Sequence, residues 1–207
     1  MYDTFGMFFL ALALGLTGAL APGPTLVATI NASFTGGWTT GPKVTLGHMV
    51  VESVIFILIV MGLAAVALPY SHVIAGIGGI ALVAFGVLTI TGSRQVSLEE
   101  TSSGTHVTNP YFSGAITSAA NPFFWIWWLS VGSAMVIAGL QGGIVLAGVF
   151  MAGHWCADLG WYTVVSTGIA QGRAVLSDQR YRWIMGICGL FLIAFGIYYL
   201  YGVFVTR

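Results

Sequence analysis

Ile74-Ala75-Gly76-Ile77-Gly78-Gly79, with Ala84-Phe85-Gly86 behind it, recurs 110 residues on as Ile184-Met185-Gly186-Ile187-Cys188-Gly189 with Ala194-Phe195-Gly196 behind it. Small residues are frequent wherever helices touch in a membrane, so glycine and alanine coincidences alone carry little. Working outward, Gly47-His48-x-x-x-Glu52 matches Gly153-His154-x-x-x-Asp158 at an offset of 106. A repeated histidine followed by an acid on the same helix face is much harder to dismiss. A third pair joins Gly18-Ala19 to Gly114-Ala115 and Gly23-Pro24 to Asn121-Pro122, at offsets of 96 and 98. The chain reads as a duplication.

The duplicated unit is a membrane unit. Hydrophobic residues make up 57% of the chain, charged residues only 6%, and the mean hydropathy is +0.95, whereas a soluble domain carries roughly 25% charged residues. The formal net charge is zero, and no basic run suggests nucleic acid as a partner. Cys156 and Cys188 sit in apolar stretches with neither metal-ligand spacing nor a disulfide framework. The apolar start lacks the basic flank of a signal peptide, so the first segment is expected to remain as a mature helix.

About 20 mostly apolar residues cross roughly 30 Å of hydrocarbon, and that template fits residues 5–32, 44–68, 72–92, 112–138, 143–170 and 183–204. The expected fold is all-α and integral to the membrane. Residues 1–92 form a first three-helix repeat, 93–111 a cytoplasmic loop, and 112–207 a second repeat. Three spans per unit is an odd number, so the second unit enters the membrane from the opposite face. That is the inverted-repeat plan of many secondary transporters, whose substrate site lies near the midplane where the repeats meet. Lys43, Arg94, Arg173, Arg180 and Arg182 fall on one side and Arg207 alone on the other. The positive-inside rule makes the first side cytoplasmic and puts both termini outside, in a multi-pass protein of the cell membrane.

Glu52 and Asp158 are the only acidic residues within these spans. A charge at that depth costs on the order of 2.5–3.5 kcal/mol on insertion scales, so such residues face a cavity or a partner. Packing the repeats about a pseudo-twofold axis would bring His48, Glu52, His154 and Asp158 together. The plainer alternative is that each histidine bonds its own acid and glues helices; the duplication favours function. Ala21-Pro22-Gly23-Pro24 and Asn121-Pro122 remove amide donors and invite their helices to break. A proline also suits the first position of a new helix, with Gly or Asn as its cap, so each break would expose amides and a positive dipole end to a carboxylate. One such kink would be ordinary in a membrane helix; two at corresponding places point to a binding site at Gly23, Pro24, Asn121 and Pro122. The aromatic residues from Phe123 to Trp128, with Trp155, Trp161 and Tyr162, are expected mainly at lipid, helix contacts or interfaces. Tyr198, Tyr199 and Tyr201 read as an interfacial belt.

These residues resemble the LysE/RhtB family of amino-acid exporters, and the likeness covers essentially the whole chain. It is carried by Ala21-Pro22-Gly23-Pro24, the Gly-rich opening of span two through Gly47, Asn121-Pro122, and Gly-rich spans three and six. The resemblance implies export of amino acids or related metabolites coupled to proton entry. Many members follow the span-four Asn-Pro with Lys, where this chain has Phe123, which marks a divergent branch. The substrate's carboxylate would sit at the half-helix starts and its ammonium at Glu52 and Asp158, with His48 or His154 relaying the proton. No cofactor is expected beyond the proton gradient, and the partners are a small-molecule substrate and the bilayer, with a homo-oligomer left open. The alternative reading is a divalent transition-metal exporter using His48, Glu52, His154 and Asp158 as ligands. A thiol-shuttling membrane enzyme would need matched cysteines, but Cys188 faces Gly78 and Cys156 faces Val50.

Overall fold

Asp3 opens the first helix, its carboxylate accepting from the Gly6 amide at 2.6 Å, and an acid there complements the positive end of the helix dipole. In the computed structural model, described for residues 3–21, 23–63, 70–95, 109–172 and 177–205, every regular element is helical. In chain order these are α1 (Thr4–Ala19), α2 (Pro24–Gly36), α3 (Thr40–Val60), α4 (Ser71–Gln95), α5 (Pro110–Ala119), α6 (Pro122–Trp127), a π-helical turn (Trp128–Gly132), α7 (Ser133–Gln141), α8 (Ile144–Gly172) and α9 (Asp178–Val205). Gly37 ends α2 at φ 69° and Gly143 separates α7 from α8 at φ 101°, conformations that glycine adopts without Cβ strain.

Among the described residues, four helical stretches are long and apolar enough to cross a membrane: Thr40–Val60, Phe123–Gln141, Ile144–Gly172 and Asp178–Val203. Thr4–Ala19 and Pro24–Gly36, bent by 77° at their break, make a fifth if the pair is one broken span and not a re-entrant loop. The span expected at 72–92 falls on α4, 25 residues long, of which Leu82–Arg94 counts only as a shorter apolar helix among the described residues. Expected span two reaches 68, but α3 stops at Val60, capped by Met61, and residues 64–68 lie outside those described. The loop expected at 93–111 is narrower: α4 continues to Gln95 and α5 begins at Pro110, because Asn109 accepts from the Tyr111 amide and Pro110 takes the first helical position. Residues 96–108, Arg173, Arg207 and Pro22 lie outside the described residues.

Between membrane helices there is no hydrophobic drive to association, so close backbone packing must hold them, and the glycines mark where it does. α4 and α9 run antiparallel, with Gly79 on Gly196 and Gly86 on Gly189; a methyl at any of the four would stand 2.6–2.8 Å from its partner's carbonyl oxygen. Val83 and Ile193 flank these contacts, as do Ile90 and Leu200. α5 lies along α3, where a methyl at Gly47 would strike the Tyr111 carbonyl and one at Gly114 the Val44 carbonyl. α1 lies along α8, where a methyl at Gly153 would strike the Phe8 carbonyl. Gly18 is not a counterpart of Gly114, however: it faces the Trp127 indole.

One buried apolar cluster joins α1, α3, α8 and the stretch from α6 to α7 around Met7, Ile55, Trp128, Val136 and Phe150. A second joins α2, α8 and α9 through Leu26, Ile30, Phe34, Tyr162 and Met185. Hydroxyls within the helices are satisfied on the preceding turn, as in Thr29 to the Thr25 carbonyl at 2.8 Å and Ser33 to the Thr29 carbonyl at 2.6 Å, which removes the cost of a bare polar group. Buried residues of α3 and α8 coincide at the 106 offset: Thr40 with Leu146, Gly41 with Ala147, Val44 with Phe150, Thr45 with Met151, Gly47 with Gly153, His48 with His154 and Glu52 with Asp158.

Candidate functional site: a polar quartet beneath two helix breaks

α2 begins anew at Pro24, with Gly23 extended before it (φ −133°, ψ 178°) and offering no side-chain cap. The first amides of such a helix have no intrahelical acceptor. At the second break Asn121 caps α6, its Oδ1 accepting from the Phe123 amide at 3.0 Å. The other end of that side chain reaches the first break, since a methyl on Gly23 would stand 3.2 Å from Asn121 Nδ2. Gly23 keeps this approach open.

One side of the cleft between the breaks is formed by the quartet. His48 and Glu52 lie one turn apart on α3, His154 and Asp158 one turn apart on α8, and their exposures are 8%, 1%, 3% and 2%. At that burial the groups must satisfy one another. Glu52 Oε1 lies 2.8 Å from His154 Nε2 and 3.0 Å from His48 Nε2, and it accepts from the Trp128 indole N–H at 3.2 Å. Asp158 Oδ2 stands farther from the same two nitrogens, 3.3 Å from His154 and 3.7 Å from His48. Among the described residues, Glu52 Oε2, Asp158 Oδ2 and His154 Nδ1 are buried without a hydrogen-bond partner. The second nitrogen of His48 is engaged, with Nδ1 2.6 Å from Ser118 Oγ.

The cleft encloses about 450 Å³, its open mouth included. All four quartet residues line it, as do Gly23 and Asn121. Pro24 is buried at the head of α2 and outside the lining; Pro122 opens α6. The expectation for the aromatic residues needs correcting: Phe123, Phe124, Trp127, Trp128 and Tyr162 all line the cleft, because the second break turns the start of α6 inward. Trp127 stacks on the His154 ring at 4.7 Å, and Phe150 lies nearly parallel to the same ring at 6.1 Å. Tyr198 and Tyr201 are exposed, as a lipid-facing or interfacial belt requires.

Sequence reasoning missed Thr25, which lines the cleft, and Ser118, fully buried against His48. The only signal was their nearness to the prolines, and serine or threonine in an apolar helix ordinarily bonds its own backbone. The four cleft groups can hold a cation between carboxylates and pass a proton between imidazole and carboxylate. Residues 16–202 match the family model of the LysE type translocators. No curated protein and no solved structure matches the chain.

Proposed function

The chain belongs to the LysE type translocator family, a family of transporters and not of enzymes, and on that premise we propose that it exports amino acids or related small metabolites by proton antiport. The observation that carries the reading is the quartet at the foot of two helix breaks, all within one cleft. A zwitterion needs amides for its carboxylate and an acid for its ammonium, and the cleft wall offers both. Proton and ammonium compete for the same carboxylates, which is what antiport requires.

The architecture proposed is six spans in two inverted three-helix repeats. If spans one and four, two and five, and three and six are equivalent, then three and six must be antiparallel, and each broken span must pack along the other repeat's second helix. The glycine contacts of α4 with α9, α5 with α3 and α1 with α8 support this. Five basic residues on one side against Arg207 on the other support placing both termini outside the plasma membrane. A cysteine at Ser102 should then be labelled from the cytoplasmic side only, and one appended after Arg207 from outside only. Labelling of both from one side would overturn the span count.

A divalent transition-metal ion as cargo is the second reading, because ligand atoms of His48, Glu52 and Asp158 lie within 4.8 Å of one another. The amino-acid reading is preferred because the Trp128 N–H already occupies Glu52 Oε1 and because a bare ion needs neither helix starts nor aromatic walls. Purified protein in liposomes, given amino acids and divalent metals under an imposed pH gradient, separates the two. Accumulation of metal and of no amino acid would overturn the first reading.

A further inference from the structure

The geometry assigns Ser118 and Trp128 as positioning residues that hydrogen-bond one half of the quartet to span four, so that movement at the Asn121 break reaches His48 and Glu52 directly, while His154 follows only through ring contacts with Trp127 and Trp128 and through its bond to Glu52. This rests on the transport reading for what the clamp accomplishes, though not for its existence.

The two residues lie on either side of the break and grip neighbouring turns of α3. Ser118, in the last turn of α5, holds His48 Nδ1 at 2.6 Å, and its hydroxyl also reaches the Gly114 carbonyl at 2.6 Å. A hydroxyl has one proton and two lone pairs. It can turn its proton to Gly114 and accept from Nδ1–H, or turn it to a bare Nδ1, so it holds the ring in either tautomer. Trp128, in the π turn, donates to Glu52 Oε1 at 3.2 Å. Its indole lies over Gly132, where a methyl would stand 2.6 Å from the ring. π turns insert an extra residue in a helix and recur at functional sites.

The other half of the quartet has ring contacts with Trp127 and Trp128 but, among the described residues, no counterpart of the Ser118 hydrogen bond. Gly47 packs on the Tyr111 carbonyl and Gly153 on the Phe8 carbonyl, which equates position 111 with 8 and therefore 118 with 15. Position 15 is glycine, and His154 Nδ1 stands where only a missing side chain permits it, 2.9 Å from a methyl built there. That nitrogen has no partner among the described residues. His154 is held by ring stacking on Trp127 instead, which fixes a plane without fixing a proton. Hydrogen bonds that merely satisfied buried groups would be expected on both histidines.

The test reads the histidines directly. Carbethoxylation by diethyl pyrocarbonate, followed residue by residue by mass spectrometry, should speed up at His48 by about five- to tenfold in Ser118→Ala, the factor for one lost hydrogen bond. His154 is the internal control and should change by less than about twofold, and Ser118→Thr should restore the wild-type rate at His48. Should Ser118→Ala fail to fold, Ser118→Cys keeps the size and weakens the bond. In liposomes, Ser118→Ala and Trp128→Phe should lower the ratio of gradient-driven accumulation to substrate exchange. An unchanged His48 rate, both histidines quickening together, or a threonine variant as reactive as alanine would each overturn the clamp, and an unaltered ratio in a protein that transports would overturn its part in coupling. Labelling needs no substrate, so a wild type that moves no amino acid would defeat the exporter reading alone.

Discussion

Glu52→Gln and Asp158→Asn should each cut pH-driven accumulation by about 10- to 100-fold, the loss expected when hydrogen bonds to a buried charge are reduced to neutral ones. Both substitutions keep size and an acceptor oxygen while removing the group that takes up a proton. Glu52 Oε1 gathers His154 at 2.8 Å, His48 at 3.0 Å and the Trp128 indole, and a glutamine can keep its carbonyl oxygen there with its NH2 at the Oε2 place, which has no hydrogen-bond partner among the described residues, so the change removes the charge and not the acceptor. Three outcomes separate three roles. A proton-coupled amino-acid exporter loses accumulation and keeps some exchange of substrate for substrate. A metal carrier loses binding itself, because amides are poorer ligands than carboxylates for such ions. Acids that only glue helices leave transport intact and cost thermal stability, by about 3–5 kcal/mol where one partner of a buried pair is removed. Normal pH-driven transport in the double variant would end the antiport reading.

The quartet was legible because both of its halves obey a helical rule that needs no tertiary knowledge. A histidine and an acid four residues apart share a face, and the repeat at Gly153-His154-x-x-x-Asp158 doubles the signal. The glycines of α4 and α9 were legible for a related reason: a residue excluded by a neighbouring backbone must be small on both helices, so Gly79, Gly86, Gly189 and Gly196 stand out in any self-alignment. What failed was register. Gly18 looked like Gly114, but Gly114 meets the Val44 carbonyl and Gly18 meets an indole. The first repeat carries more residues between its α8 contact at Gly15 and its break at Pro24 than the second carries between Ser118 and Pro122, and no local pattern shows where such an insertion sits. The inward turn of Trp127 and Trp128 was hidden too. A run of aromatic residues in a membrane helix suits lipid as well as a pocket, and only the break at Asn121, with the π turn after it, decides which way the ring faces.

The breaks themselves are testable without touching an acid. Asn121→Ala should weaken substrate binding by about tenfold, combining the loss of a helix cap, typically about 1 kcal/mol, with the loss of the amide that reaches Gly23 across the cleft. Pro24→Ala should be milder, about threefold, because α2 keeps Gly23 as its cap and loses only the fixed φ that starts it in the right direction. Neither change disturbs the packing of α3 on α5 or of α4 on α9, so both proteins should insert and elute in detergent as wild type does. The ordering matters as much as the size. If the breaks were ordinary kinks, proline would be the residue whose loss straightens a helix, and asparagine would be dispensable. A binding role reverses that order, since Asn121 belongs to the cleft wall and Pro24 stands behind it. Equilibrium binding of the substrate identified in liposomes distinguishes the cases: unchanged affinity in both variants, or a larger loss in Pro24→Ala than in Asn121→Ala, returns these motifs to the status of kinks.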